Sequence, residues 1–217
     1  MNTPNAPLFV TGISTDVGKT VVSAILCEYL KFDYWKPIQT GKELGTDSES
    51  LKKLVNQPNF KVYEESYLLN EPLSPHAAAK IENENILLEK VNLPTKTSKL
   101  IIEGAGGLLV PINYKNETIC DLIIKFNCSV ILVVKEYLGN INHTLLTISH
   151  LKQQNIDVFG IVYVGDELPE TEKIIERMTG VPCLFRVPLF SLINKDTIRK
   201  FAEQIPLRHL SNESKSR

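Results

Sequence analysis

No two of the four cysteines, Cys27, Cys120, Cys128 and Cys183, form a CxxC pair, and none is grouped with histidine as a metal-ligand set. That argues against thiol-redox and structural-zinc chemistry and leaves ordinary buried thiols of a reduced, cytoplasmic protein as the expectation. The first residues, MNTPNAPLFV, lack a basic segment followed by a long apolar run, so no secretory signal is expected. No apolar stretch approaches the roughly 18 residues a membrane-spanning helix requires. Net charge is scarce too. Lys and Arg number 24 against 25 Asp and Glu, leaving −1 at pH 7, so no global field recruits nucleic acid or an anionic membrane. Internal repeats and low-complexity linkers are also missing. What remains is 217 residues, 43% apolar, enough for a substantial core in one α/β domain spanning 1–217.

Short β-rich apolar runs alternate with helical patterns along the chain. Strands are expected at 8–11, 34–36, 100–103, 130–134, 158–164 and 184–187, with a short edge strand at 108–111. Helices are expected at 19–31 (apolar along one face), 46–55, 74–82, 85–91, 118–126, 142–154, 170–179 and 195–204. Residues 57–73 read as irregular, and 211–217 as a polar, disordered tail. The run 130–134 is wholly apolar, as in a sheet covered on both faces. Strand–helix alternation of this kind predicts a doubly wound, mostly parallel sheet, with ligands beyond the carboxyl ends of its strands.

The first motif falls at such an end. Gly12-Ile13-Ser14-Thr15-Asp16-Val17-Gly18-Lys19-Thr20 follows a strand and opens a helix, the context a phosphate-binding P-loop needs. Glycines let backbone N–H groups turn toward phosphate oxygens, and the helix N-terminus adds a favourable dipole. Lys19 would reach the β- and γ-phosphates and the Thr20 hydroxyl would ligate Mg²⁺. Five residues separate the two glycines where the usual pattern has four.

Other strand ends carry further candidates. Lys36, before Pro37, is either a point charge for anionic groups or a surface lysine at a turn. Asp47 is either a metal ligand or a first-turn acid behind a Thr46 N-cap. Glu103 closes a strand before Gly104-Ala105-Gly106-Gly107, an arrangement like Walker B whose carboxylate would join Thr20 around Mg²⁺; the alternative is a solvated acid at a turn. Gly139, Asn140, Ile141 and Asn142 open a helix, either as a second anion site or as a glycine turn with an asparagine cap. His76 and His143 are open between chemical and structural roles.

Taken in order, Gly12–Thr20 with its five-residue spacing, Lys36-Pro37 through Thr40-Gly41, Asp47, Leu73-Ser74-Pro75-His76, Glu103-Gly104-Ala105-Gly106-Gly107, Leu138-Gly139 with Ile141-Asn142-His143, and Val187-Pro188 resemble the dethiobiotin synthetases. The resemblance implies carboxylation and ring closure of 7,8-diaminopelargonic acid with CO₂ and MgATP, through a carbamate and a carbamic–phosphoric anhydride. It implies Lys36 and Lys19 as catalytic lysines and Thr20, Asp47 and Glu103 as Mg²⁺ ligands. It places ATP on Gly12, Thr15, Asp16, Val17, Gly18, Lys19, Thr20, Val21, Asp47, Glu103, Gly104, Ala105, Gly106, Val187, Pro188 and Leu189. The diamine or its carbamate would meet Thr15, Lys36 and Thr40. A homodimer is implied, with the substrate's distal carboxylate held by Gly139, Asn140 and Asn142 of the partner subunit. An Asn-Asp pair that reads adenine in the family is replaced here by Val164-Gly165-Asp166, which predicts weaker base recognition or tolerance of other triphosphates, on the order of 1–3 kcal/mol by analogy with base readout.

Two other readings compete. A P-loop amidoligase, such as a cobyrinic acid amide synthase domain, would need a glutaminase module. A partitioning-type ATPase switch would carry an early loop lysine where this chain has Ile13, Ser14 and Thr15.

Overall fold

The computed structural model describes residues 6–96 and 99–205, so the tail expected at 211–217 lies outside the described residues. Its frame is a seven-stranded sheet in the order β4-β2-β6-β1-β7-β8-β9, with every pairing parallel. The strands are β1 (Leu8–Gly12), β2 (Asp33–Trp35), β4 (Val62–Tyr63), β6 (Leu100–Gly107), β7 (Ser129–Lys135), β8 (Val158–Val164) and β9 (Cys183–Val187). A separate parallel pair joins β3 (Ile38–Gln39) to β5 (Tyr67–Leu68). Helices α1 (Lys19–Leu30), α2 (Asp47–Leu54), α3 (Pro75–Ile81), α4 (Ile119–Phe126), α5 (Asn140–Gln153), α6 (Pro169–Thr179) and α7 (Lys195–Gln204) cover the sheet. None of the described helices is long and apolar enough to cross a membrane.

Strand side chains alternate between faces. Leu8, Val10, Tyr34, Ile101 and Val133 pack against α1 with Leu51 of α2 and Ile198 of α7. Phe9, Trp35, Leu100 and Ile102 face α3 and α4, while Leu132, Val134 and Tyr163 face α5 and α6. All five residues of β1 are buried, as a strand between two helical layers must be. Burial of α1 exceeds the single apolar face expected. Every residue of 22–28 is inside, because α2 and α7 flank the helix as well as the sheet beneath it.

Strands 8–11 and 158–164 and helices 118–126, 170–179 and 195–204 come within a residue of expectation. Other segments depart from it for identifiable reasons. Only one 3₁₀ turn, Leu88–Lys90, forms where a helix was expected at 85–91, and the Leu87 N–H is taken by the Tyr67 hydroxyl at 3.0 Å. The expected edge strand at 108–111 is a turn whose carbonyls receive Ile119 and Cys120 N–H groups; a single bridge, Pro111 to Thr118, remains. Residues read as irregular supply β4 and β5. Helix α5 begins at Asn140, two residues before the expected start.

The most consequential difference is β6. Its glycine run does not turn away after Glu103 but continues as strand to Gly107, beside Gly12. A Cβ at Gly104 would sit 2.8 Å from Phe9 Cε1, so only glycine lets β6 stay in register there. Glu103 is therefore inside the strand, and alternation places it on the face shared with Ile101 and α1.

Candidate active site

The loop between β1 and α1 lies at the centre of the sheet, where chain order reverses. Gly18 caps α1 at φ 94°, ψ 21°, a left-handed conformation that glycine adopts without strain. It packs on Val164 at the end of β8. Lys19 curls back to donate to the Ser14 carbonyl at 3.1 Å and is almost fully buried. Burial holds its pKa below the usual lysine value, although Glu103 opposes the shift.

Beside the loop, four side chains meet. Thr20 Oγ1 lies 2.5 Å from Asp47 Oδ1 and 3.0 Å from Glu103 Oε1. Lys36, just past the end of β2, pairs with Asp47 Oδ2 and lies 3.4 Å from Glu103 Oε1. Burial would lower the Lys36 pKa, but Glu103 and then Asp47 outweigh it and hold the ammonium above its ordinary range. Burial would raise Asp47, but Lys36 and Thr20 outweigh it and hold the carboxyl below its ordinary range. The first-turn position of Asp47 is what the structure shows, and the same carboxylate is turned toward the phosphate loop. It is the first residue of α2 behind a Thr46 capping box with Glu49, and it faces Thr20 and Lys36. Gln39 fixes this helix start by accepting the Asp47 N–H at 3.1 Å.

A raised Lys36 pKa stabilises the fold below 10.5 and the contribution fades as pH rises through the folded value. A depressed Asp47 pKa stabilises the fold above 3.8 and the contribution fades as pH falls through the folded value. Thermal melts of Asp47→Asn should therefore show a deficit against the parent at pH 7 that shrinks below pH 3.8. A deficit that does not change with pH would contradict the pairing.

These groups open on a cavity of about 860 Å³ lined by Thr15, Asp16, Gly18, Lys19, Thr20, Val21, Lys36, Thr40, Asp47, Glu103, Ala105 and Gly106. Gln39, Gly41, Gly45, Pro72, Leu73, Ser74, Pro75 and Val110 complete its wall. Gly12, Val17 and Gly104 lie outside that lining, and Val17 is buried. Val187, Pro188 and Leu189 are also outside it, at the end of β9; Val187 is buried, whereas Pro188 and Leu189 are exposed. Gly139, Asn140 and Asn142 sit at the start of α5, away from the lining. Asn140 is buried and donates to Glu136 at 2.5 Å, while Asn142 is exposed. His76 contacts Ser74 Oγ and the Tyr114 ring, and His143 pairs with the Tyr137 hydroxyl, so neither lines the cavity.

Ser23, Tyr34, Gln39 and Arg186 were not among the expected site residues. Ser23 and Tyr34 hydroxyls both donate to Glu103 Oε2, at 2.7 and 3.0 Å. Arg186 donates to the Gly165 and Asp166 carbonyls at 3.1 and 2.6 Å, tying down the turn where an adenine-reading pair was missing. Only Ser23, one helical turn after Thr20 and on nearly the same face, could have been picked out by spacing.

A hydroxyl and two carboxylates form a hard, all-oxygen donor set, which fits Mg²⁺. One Thr20 hydrogen cannot satisfy both acids, leaving oxygen lone pairs for a cation. No cluster of three or more His, Cys, Asp or Glu occurs among the described residues, so phosphate oxygens and water would complete the shell.

A phosphate loop on the central strand of a parallel sheet, facing a lysine and two acids, defines a P-loop nucleotide-binding protein. The chain belongs to the ATP-dependent dethiobiotin synthetase family. It is 46% identical over 200 residues to the ATP-dependent dethiobiotin synthetase BioD of Christiangramia forsetii, covering 92% of this chain and 96% of the relative. It is 46% identical over 198 residues to that of Cytophaga hutchinsonii, covering 91% and 95%. A family model described as AAA domain matches residues 6–197. Among solved structures, a ParA family ATPase from Chlorobium tepidum TLS shares the fold, with TM-score 0.56, 13% identity and coverage of 94% of this chain and all of that one.

Proposed function

We propose that this chain converts 7,8-diaminopelargonic acid and CO₂ to dethiobiotin at the expense of ATP, releasing ADP and phosphate. The observation that carries the reading is the meeting of Lys36, Asp47, Glu103 and Thr20 above a complete phosphate loop, in a chain 46% identical to named synthetases. One amine of the diamine takes up CO₂ as a carbamate and loses a proton. A carbamate oxygen then attacks the γ-phosphorus and ADP leaves. The second amine attacks the carbamoyl carbon of the resulting mixed anhydride, the ring closes and phosphate departs.

The difficulty in this chemistry is bringing a weakly nucleophilic anion to an anionic triphosphate. Lys36 is suited to offset it as a fixed cation. Held beside Asp47 and Glu103, it would act as an electrostatic stabiliser. Lys19 supplies a second cation on the phosphate side. Thr20, Asp47 and Glu103 would hold Mg²⁺, which when bound neutralises charge on the phosphate oxygens. Thr15 and Thr40, both in the cavity lining, would position the diamine for in-line attack.

The enzyme works in the cytoplasm as a homodimer on this reading. Gly139 and Asn142 lie beside a fully exposed Leu138 and do not line their own protomer's cavity, which supports their serving the partner's. Asn140 contributes through helix position, since its amide side chain is engaged by Glu136. Val187, Pro188 and Leu189 would seat the base.

Phosphate release with MgATP and bicarbonate, with and without the diamine, tests the proposal. Release should require the diamine and be matched by dethiobiotin. ATP turnover indifferent to the diamine would overturn it.

A further inference from the structure

Glu103 holds its two carboxylate oxygens in different surroundings. Oε2 accepts from the Ser23 hydroxyl at 2.7 Å and from the Tyr34 hydroxyl at 3.0 Å. Both donors are completely buried and arrive from different elements, α1 and β2. Oε1 is the oxygen that faces Thr20 and Lys36. The single Thr20 hydrogen has its shorter contact, 2.5 Å, to Asp47, and Lys36 is 3.4 Å from Oε1, so Oε1 keeps lone-pair density, whereas two fixed hydroxyl hydrogens leave Oε2 little for a cation. The carboxylate cannot readily swing either, because Glu103 is in mid-strand and 1% exposed.

We infer that Ser23 and Tyr34 are positioning residues that restrict Glu103 to one-oxygen coordination and thereby select Mg²⁺ over Ca²⁺ at this site. The inference rests on the reading of Glu103 as a metal ligand. Its physical basis is the difference between the two ions. Mg²⁺ demands compact octahedral geometry at about 2.0–2.1 Å, which single oxygens satisfy, whereas Ca²⁺ takes about 6–8 oxygens and readily uses both oxygens of one carboxylate. With Oε2 occupied, the larger ion loses a ligand that the smaller one does not need. Hydrogen bonds to a ligating carboxylate also fix its direction, which matters more to the ion with the stricter geometry.

The test is binding of Mn²⁺, read by electron paramagnetic resonance on the ADP-saturated protein, with displacement by Mg²⁺ and by Ca²⁺. The parent, Ser23→Ala, Tyr34→Phe, the double variant and Glu103→Gln are compared. Both hydroxyl deletions nearly preserve shape, and unfolding midpoints report any general loss of stability. In the double variant Mg²⁺ affinity should fall about tenfold or more. Ca²⁺ affinity should hold or rise as Oε2 is freed, so the Mg²⁺ preference narrows by about tenfold or more. Each single variant should narrow it partially. An unchanged Mg²⁺-to-Ca²⁺ ratio, whether or not stability drops, overturns the inference. Mn²⁺ binding that is indifferent to Glu103→Gln overturns the ligand reading itself, and the inference with it.

Discussion

Lys36→Ala should lower diamine-dependent phosphate release by about 10³-fold, the size of effect seen when a fixed charge stabiliser is removed from a water-excluded site. That corresponds to roughly 4 kcal/mol of barrier. The lysine is 5% exposed and is the cation that pairs with Asp47 and Glu103. Its removal therefore has two consequences. The carbamate loses its counter-charge at the phosphate, and the two carboxylates are left facing each other across Thr20. The second consequence should lower the thermal midpoint, because one side of a buried pair is left uncompensated. Saturating Mg²⁺ should recover part of that midpoint by neutralising the acids, and it should not recover turnover. Turnover within tenfold of the parent would remove Lys36 from the chemistry.

Lys19→Ala should produce a loss of comparable size in kcat/KM for ATP, about 10²–10³-fold, but divided differently between binding and rate. Lys19 belongs to the loop that would hold the phosphates; its ammonium donates one N–H to the Ser14 carbonyl and keeps its other donors for a ligand. Burial already lowers its pKa, so an anionic ligand is a favourable partner for the charge. Calorimetric titration should show ATP affinity falling at least about tenfold in this variant and changing little in Lys36→Ala, because a charge serving both ground and transition states affects binding. The reverse pattern would exchange the roles of the two lysines.

Much of this arrangement was legible along the chain. The strand–loop–helix pattern at Gly12–Thr20 was legible, because it depends on local backbone conformation and on residues within two helical turns. The parallel sheet followed from alternating apolar runs, and β1, β8 and α7 emerged close to their expected limits. Lys36, Asp47 and Glu103 could be nominated because each stands at or near a strand or helix end. Their meeting could not be read from spacing. Asp47 and Glu103 reach Thr20 from 27 and 83 residues away.

The sequence by itself determined the fold class and the position of the loop, since periodicity, glycine placement and strand–helix order act over a few residues at a time. Tertiary structure alone decided that β6 runs on past Glu103, because Gly104 is needed for close packing against Phe9. It also decided that Ser23 and Tyr34 share one oxygen of Glu103, contacts made across 80 and 69 residues of chain. A tyrosine in a strand and a serine one turn past Thr20 do not reveal a shared partner by spacing. They acquire a role only when α1, β2 and β6 are packed together around the same buried carboxylate, where an unpaired charge would be costly.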